Sequence, residues 1–349
     1  NSHITEVAKN LINKTDLTYN VMMEDIQEVI DENSPKETML DIVGLNNLRT
    51  ELKMSWEQFH NFSDINEFLY TMLEYFPKIT HLITAGRSVE KRQIKALRIS
   101  DGNENNPAIL ICGGMQGRDW ISPASITYMI FKLARFWNEH PKYMRRIDWY
   151  FIPVLNPDGY EYSRTDDRLW TKNRRSNGDC EGVNIERNFG FSWSKKGSSG
   201  YPCSNLYRGP EKFSEPETRA LRKVARSIGP KLAAYIAVGG YGQVVTYPWG
   251  DENYFPENAE EMHRVAKLAV KVKLNVSRYE YRIGSSFRLQ LPSAGNSADW
   301  VLNRIKPEYV YNLALRDLGR YGFLLPANQI KLCGEEAFEM IQDIAEAIS

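Results

Sequence analysis

Apolar residues along the chain follow two patterns, one with helical spacing and one of short continuous runs. Apolar positions three and four residues apart predict amphipathic helices, whereas short apolar runs between turn residues predict buried strands. The predicted helices are residues 24–32, 65–76, 122–138, 214–228, 258–273 and 335–348. The predicted strands are residues 94–99, 108–112, 147–154, 232–238 and 309–315. Strands that alternate with helices predict an α/β sheet covered on both faces.

The first 50 residues differ in pattern from the rest of the chain. The acidic helix over residues 24–32 is followed by a helix-ending turn at residues 33–35. A connecting helix with polar ends is predicted up to Leu52. Because the regular alternation begins only near Ser55, we predict two regions, residues 1–50 and 51–349.

Composition and charge exclude several classes of function. The 349 residues are 42% hydrophobic and 25% charged, as in an ordinary globular domain. Lys and Arg number 44, and Asp and Glu also number 44, so the formal net charge is near zero. This balance predicts neither a nucleic-acid surface nor a polybasic membrane patch. The sequence contains no run of about 18 apolar residues, the length that spans a bilayer.

The four cysteines are Cys112, Cys180, Cys203 and Cys333, and none forms a C-x-x-C pair. A zinc ribbon and a thioredoxin-type motif are therefore excluded. Cys180 and Cys203 bracket a polar segment with a Gly/Ser-rich stretch, so we predict a disulfide that closes this loop. Cys112 lies in an apolar run and is either simply buried or bridged to Cys333.

Three N-x-S/T sequons begin at Asn13, Asn61 and Asn275. Sequons and disulfides are both typical of extracellular proteins. Together they favour a secreted protein that is glycosylated at these three asparagines.

Six ordered segments carry a resemblance to a known family. Their sequences are GRDWISPA, NPDGY, RNF, YRGP, FSEPET and LRDLGRYGF, at residues 117–124, 156–160, 187–189, 207–210, 213–218 and 315–323. In this order and spacing they resemble the M14 metallocarboxypeptidases of the pancreatic carboxypeptidase A/B type. The resemblance covers the chain from about residue 52 to the C-terminus.

The resemblance implies an eight-stranded mixed sheet with helices on both faces and a zinc site near the carboxyl ends of the strands. It also implies that residues 1–50 are the C-terminal remnant of a propeptide with its connecting helix. Residues 51–349 would then form the carboxypeptidase-like domain.

The family's three zinc ligands, a His-x-x-Glu pair and a distant His, match Gln116, Asp119 and Gly239 in this chain. Zinc is held in proteins by imidazole, thiolate and carboxylate groups. Gln116 offers a neutral amide oxygen, Asp119 is one methylene shorter than Glu and is most simply an ion-pair partner of a nearby arginine, and Gly239 has no side chain. Because the loss of even a supporting partner lowers metal affinity roughly 10–100-fold, we predict that zinc is absent and that no cofactor is bound.

Two further positions matched to catalytic groups are also replaced. The family's general base corresponds to Ala314, and its carbonyl-polarising arginine corresponds to Thr171. General-base catalysis contributes about 10²–10⁴-fold, and alanine cannot supply it. We therefore predict no catalytic residue and interpret the chain as a pseudoenzyme of this family.

The positions matched to substrate binding are partly retained. Arg118 and Arg187 stand where the family places arginines that hold the substrate and its terminal carboxylate. Arginine suits this role because its planar guanidinium binds a carboxylate with two hydrogen bonds. The asparagine that assists the second arginine is Glu186 here, which would repel a carboxylate or pair with an arginine, and the capping tyrosine is Leu291.

Aromatic and small residues complete the predicted cleft. Tyr241 and Phe323 match aromatic wall positions, and we predict Tyr241 as a substrate-binding residue. Ala298 matches the position that sets side-chain preference, and a small neutral residue there argues against a basic ligand side chain.

These observations leave three functions. The first is a secreted carboxypeptidase-like pseudoenzyme that binds a peptide or a protein partner. The second is an active metallocarboxypeptidase with a remodelled site, and the third is a structural or storage glycoprotein in which the cleft is unused. Fold alone does not choose among them, because function lies in the site.

Overall fold

A computed structural model describes residues 2–15, 17–19, 21–33, 54–271 and 280–349. Its strands are β1 (Thr80–Arg87), β2 (Gln93–Ile99), β3 (Ala108–Cys112), β4 (Asp148–Ile152), β5 (Ser176–Asn177), β6 (Cys180–Glu181), β7 (Leu232–Gly239), β8 (Val244–Tyr247), β9 (Arg282–Ser285) and β10 (Tyr309–Ala314). Eight of them form one sheet in the order β1-β2-β4-β3-β7-β10-β8-β9, and β5 pairs with β6 in a separate hairpin.

The sheet is mixed, as predicted. β4, β3, β7 and β10 run parallel to one another at its centre. β2 and β8 pair antiparallel with the two sides of this block, and β1 and β9 form the edges. The predicted eight-stranded mixed sheet is confirmed.

The described residues also form α-helices, several of which pack against the sheet or against one another. They are α1 (Ser2–Ile12), α2 (Ile26–Asn33), α3 (Phe62–Tyr75), α4 (Ile121–Arg135), α5 (Lys142–Arg145), α6 (Pro157–Thr165), α7 (Pro216–Ile228), α8 (Ala259–Lys271), α9 (Ser286–Leu289), α10 (Ser297–Arg304) and α11 (Ile330–Ile348). α11 packs on α4 and α8, α7 packs on β1, and α10 packs on β7 and β10. Every residue of β3 is buried, and since successive strand side chains point to opposite faces, both faces of the sheet centre are covered.

Three outer strands of the large sheet, β1, β8 and β9, were not predicted from the sequence. Exposed and buried positions mix irregularly in β1, and a register shift between Thr84 and Gly86 breaks its alternation. β8 and β9 have only four residues each, which is too short for a periodic signal. The ends of the central strands were predicted to within two residues, because their apolar runs are continuous.

Two of the four cysteines are bonded to each other and two are free. Cys180 and Cys203 form a disulfide, which confirms that prediction. Cys112 and Cys333 are both buried free thiols, so the simpler of the two alternatives for Cys112 holds.

Helix α2 contacts the short 3-10 helix Gly322–Leu324. The predicted division into residues 1–50 and 51–349 stays a prediction, and its connecting helix falls outside the described residues. None of the helices found in the described residues has the length and apolar character needed to cross a bilayer.

Candidate functional site

A cleft of about 510 Å³ opens at the carboxyl ends of the central parallel strands. Strands β3, β7 and β10 each lead into it, which brings together residues that are far apart in sequence. The lining residues include Met115, Gln116, Asp119, Glu186, Arg187, Gly239, Tyr241, Leu289, Leu291, Asn296, Ala314 and Phe323. The crevice beyond the carboxyl ends of the strands is the usual ligand site of open α/β sheets.

The three positions matched to zinc ligands meet at the floor of this cleft. Asp119 is buried, and its Oδ2 accepts the N–H of Gly240 at 3.0 Å while its Oδ1 accepts the N–H of Ser122 at 3.3 Å. Burial raises the pKa of Asp119 to about 6, although these N–H groups lower it in part. A Cβ placed on Gly239 would lie 3.3 Å from Asp119 Oδ2, so the carboxylate borders the space that a side chain at Gly239 would enter.

These positions do not fit zinc. Zinc prefers imidazole, thiolate and carboxylate ligands, and of the three residues only Asp119 carries such a group. Gln116 Oε1 instead lies 3.3 Å from the Nε of Arg118, which donates to it. Across the described residues, no group of three or more His, Cys, Asp and Glu side chains is arranged to hold a metal ion. No chemical step at these positions is therefore assigned to a metal.

Ala314 ends β10 beside Gly239, with which it is in register. Its methyl group cannot exchange a proton, so the matched base position carries no titratable group. Thr171 is buried and its Oγ1 has no hydrogen-bond partner among the described residues. The structure does not bring Thr171 to the cleft wall.

Arg187 is fixed in the cleft wall by backbone carbonyl groups. Its Nε donates to Gly197 O at 2.7 Å and its Nη1 donates to Glu186 O at 2.7 Å. Glu186 and Arg187 belong to the 3-10 turn Ile185–Arg187. The side chain of Asn184 caps this turn by accepting the N–H of Glu186. Burial lowers the pKa of Arg187, and the nearby carboxylate of Glu186 opposes that shift in part.

Two ion pairs expected from the sequence are not formed within 4.0 Å in the described residues. Pairing with an arginine was expected of Asp119 and was one of two alternatives for Glu186; the other alternative, that Glu186 repels a carboxylate, stays a prediction. Within the described residues neither carboxylate has a cation within 4.0 Å. Asp119 uses backbone N–H donors instead, because the chain turns at Gly240 and Ser122 towards its two oxygens.

Tyr241 and Phe323 form one wall of the cleft, and Arg118 packs against Phe323. The Arg118 guanidinium lies over the Phe323 ring at 4.0 Å, and Phe323 meets Tyr241 edge to face at 5.1 Å. Arg118 itself stands behind this wall, whereas Tyr241 lines the cavity. Leu291, at the capping position, is 86% exposed on the rim, and Ala298 is fully buried.

Sequence reasoning did not identify Arg168, which connects two segments of the cleft. Its Nη1 donates to Arg118 O at 2.8 Å and its Nη2 donates to Phe323 O at 2.7 Å. Its guanidinium stacks on the Trp120 ring at 3.5 Å. The sequence gives no spacing signal for this role, because both acceptors are backbone carbonyls that only the fold brings together.

Of the three predicted glycosylation sites, two lie in the described residues. Asn13 is exposed just after α1. Asn61 caps α3, because its Oδ1 accepts the N–H of Asp64 at 2.8 Å. Its Nδ2 takes no part in that hydrogen bond. Asn275 lies outside the described residues.

Comparison with known proteins gives consistent matches. A family model described as zinc carboxypeptidase matches residues 65–340. A carboxypeptidase B of Astacus astacus is 36% identical over 298 residues, which cover 84% of this chain and 98% of that protein. A human carboxypeptidase B is 30% identical, with 99% of this chain and 81% of that protein covered. The crystal structure of thrombin activatable fibrinolysis inhibitor superposes with a TM-score of 0.89 at 29% identity, over 99% of this chain and 86% of that one.

Two predictions are wrong by these comparisons: that the protein is not an enzyme, and that zinc is absent. Relatives between 30% and 36% identical over most of the chain are named carboxypeptidases. The description of the matching family, zinc carboxypeptidase, names the metal. Both predictions inferred an absence from a few replaced positions, whereas the similarity extends over the whole domain.

Proposed function

The chain belongs to the zinc carboxypeptidase family, and from that membership we propose that it is a carboxypeptidase with a remodelled site whose cleft holds the C-terminal end of a peptide. The observation that carries this proposal is the Arg187 guanidinium in the cleft wall. Two backbone carbonyls fix its plane, and in the described part of the chain no carboxylate lies within 4.0 Å of it. An ordered arginine with unused donors is suited to the polar end of a peptide.

The walls of the cleft favour an apolar terminal side chain. Met115, Leu289 and Leu291 line the cavity, with Tyr241 and Phe323 on the aromatic wall. A cavity of about 510 Å³ has the size of a site for a small ligand, so it suits the last residues of a peptide. We therefore propose an aliphatic or aromatic last residue.

Asp119 is the cleft group best placed to exchange a proton in this remodelled site. It lines the cavity at the floor, beside the open space at Gly239. A group that takes up and releases protons near neutral pH is the most effective general base, and burial has moved the pKa of Asp119 to about 6.

The proposal is tested with a peptide that ends in phenylalanine. Binding is measured by titration calorimetry, and release of the last residue is measured in buffer with zinc and again after treatment with chelator. Arg187→Ala is expected to weaken binding by about 10–100-fold, because a hydrogen bond to a charged group contributes about 1.5–3 kcal/mol. Arg226→Ala, which removes an exposed arginine on α7, is the matched control and should change nothing.

The outcomes separate binding from hydrolysis. Equal binding by the wild type and Arg187→Ala would refute the assignment of the cleft. Intact binding with no released residue in either buffer would refute the hydrolytic part alone. Asp119→Asn should abolish release while leaving binding within about threefold.

We also propose that the protein is a secreted glycoprotein. The disulfide between Cys180 and Cys203 supports this, since such bonds persist in oxidising compartments. Asn13, which is exposed, and Asn61, which is partly exposed, both lie at helix ends, and this supports the attachment of glycans there.

A further inference from the structure

Three polar side chains form a hydrogen-bonded group at the cleft. They are Thr246 on β8, Ser286 at the start of α9 and Asn312 on β10. Two of them, Ser286 and Asn312, line the cavity. We infer that this group makes the cleft select tyrosine as the last residue of its peptide, because the phenol hydroxyl can donate to the Oδ1 of Asn312. The inference rests on the proposed function, since it names which aromatic residue the same cleft takes.

Asn312 lies deep in the cleft. It precedes Ala314, the last residue of β10, by two positions, so both side chains point to the same face of the sheet and both line the cavity. A strand rises about 3.3 Å per residue, which places Asn312 about 7 Å from the strand end at which the cleft opens. Asn312 is the one residue of this strand that is not buried, so the cavity extends inward as far as its side chain.

The hydrogen bonds of Asn312 determine which of its side-chain atoms is left for a ligand. Ser286 carries one hydroxyl proton, and two acceptors lie within its reach, Tyr247 O at 3.2 Å and Thr246 Oγ1 at 2.9 Å. The Ser286 oxygen is therefore left to accept, and it accepts from the Asn312 Nδ2 at 3.1 Å. Because Nδ2 is held by this bond, the Oδ1 of the same amide is turned away from Ser286.

The Oδ1 of Asn312 is an accessible acceptor that has no donor among the described residues. It is not one of their buried side-chain atoms that lack a partner, so it is open to the cavity that Asn312 lines. A ligand that fills this part of the cavity removes water from the oxygen, and a desolvated acceptor without a donor is unfavourable. A hydroxyl that donates to Oδ1 removes that cost, whereas an apolar group in the same place leaves it.

The surroundings of this acceptor suit a ring that carries a single hydroxyl. Leu289 follows Ser286 by three positions on α9, so both lie on one face of the helix, and both line the cavity. Serine and threonine are too short to carry a hydroxyl from the strand end to Asn312. Glutamine would bring two N–H protons and a C=O, which are more polar groups than one acceptor oxygen can satisfy. Tyrosine places an apolar ring against Leu289 and a hydroxyl at Asn312.

The test compares peptides that differ only in their last residue. They end in tyrosine, phenylalanine or glutamine, each as the free acid, and each carries an N-methylated last peptide bond so that hydrolysis does not consume it. Dissociation constants are measured by calorimetry for the wild type, for Asn312→Leu, and for Asn312→Asp, which keeps an acceptor oxygen. Asn138→Leu is the matched control, because Asn138 is exposed and lies outside the cavity lining.

The wild type is expected to bind the tyrosine peptide about tenfold more tightly than the phenylalanine peptide, and Asn312→Asp and Asn138→Leu should keep that ratio. Asn312→Leu should bring the ratio to within about threefold, chiefly by weakening tyrosine binding; an unchanged ratio would overturn the assignment to Asn312. If the wild type binds phenylalanine as tightly as tyrosine, or glutamine more tightly, the inference is overturned and the proposed function stands. Failure to bind any of the peptides overturns both, and the wild-type comparison does not depend on any variant folding.

Discussion

The buried carboxylate of Glu217 makes the stability of the fold depend on pH. Glu217 lies in the first turn of α7 and is completely buried. Its Oε1 accepts the N–H of Val89 at 3.0 Å, and its Oε2 accepts from the Asn173 amide at 3.1 Å. The same amide nitrogen also donates to Glu215 at 2.7 Å, so two carboxylates share one donor. Burial, with a contribution from the charge of Glu215, raises the pKa of Glu217 from 4.5 to about 7.

The direction of the effect follows from this shift. The folded protein holds a proton on Glu217 up to about pH 7, whereas the unfolded chain releases it near pH 4.5. The contribution to stability is therefore fully present below pH 4.5 and is lost as pH rises to about 7. A rise of the pKa from 4.5 to about 7 corresponds to about 3 kcal/mol. That is a large part of the roughly 5–15 kcal/mol that stabilises a typical protein.

Urea unfolding at pH 5, 6, 7 and 8 measures this effect. The wild type is expected to lose free energy of unfolding steadily across the series. Glu217→Gln removes the titrating group, so its loss between pH 5 and 8 should be smaller by about 2.5 kcal/mol. Asp299, whose pKa burial raises to about 7, should account for part of the slope that remains. Glu211→Gln, which changes an exposed residue, is the control and should follow the wild type. Parallel curves for the wild type and Glu217→Gln would refute the assignment of the slope to this carboxylate.

Three further outcomes are expected from other parts of the fold. Replacing Cys180 and Cys203 together by serine should lower the free energy of unfolding by about 3 kcal/mol, because the bond closes a loop with a sequence separation of 23; an unchanged urea midpoint would contradict this. Arg316→Met should cost about 3–5 kcal/mol, since it leaves Glu336 charged and buried, and adding Glu336→Leu should recover much of that loss in a double-mutant cycle. Ser63→Ala in secreted material destroys the sequon but leaves Asn61 as the helix cap, so it should remove the mass of one glycan in intact-mass spectrometry, and an unchanged mass would exclude modification at Asn61.

The sequence was most informative where burial is complete. The central strands were predicted because their apolar runs are continuous, and the ordered segments placed Gln116, Asp119 and Gly239 at one site before the fold was known. The sequence was least informative about the hydrogen-bond and ion-pair partners of the site residues. Asp119 was expected to pair with an arginine but accepts backbone N–H groups, whose positions depend on turns that side-chain identities do not reveal.

The inferences about activity failed for a different reason. They treated each replaced position as a separate loss of function and added these losses to predict that activity and zinc are absent. Similarity to named carboxypeptidases extends over nearly the whole domain, and that broader signal contradicts the conclusion drawn from single positions. The side chains at the floor of the cleft still differ from the expected zinc ligands, which makes direct assay of hydrolysis the informative measurement.

The position of Arg168 has a consequence for how the cleft receives a ligand. One guanidinium holds the carbonyls of Arg118 and Phe323 together and rests on the Trp120 ring. Two segments distant in sequence are thus fastened before any ligand arrives, and the entropy of ordering this wall is lost during folding rather than during binding. Preorganisation of this kind strengthens binding without adding a contact to the ligand. A residue that touches no ligand therefore helps to determine how tightly the cleft can hold one.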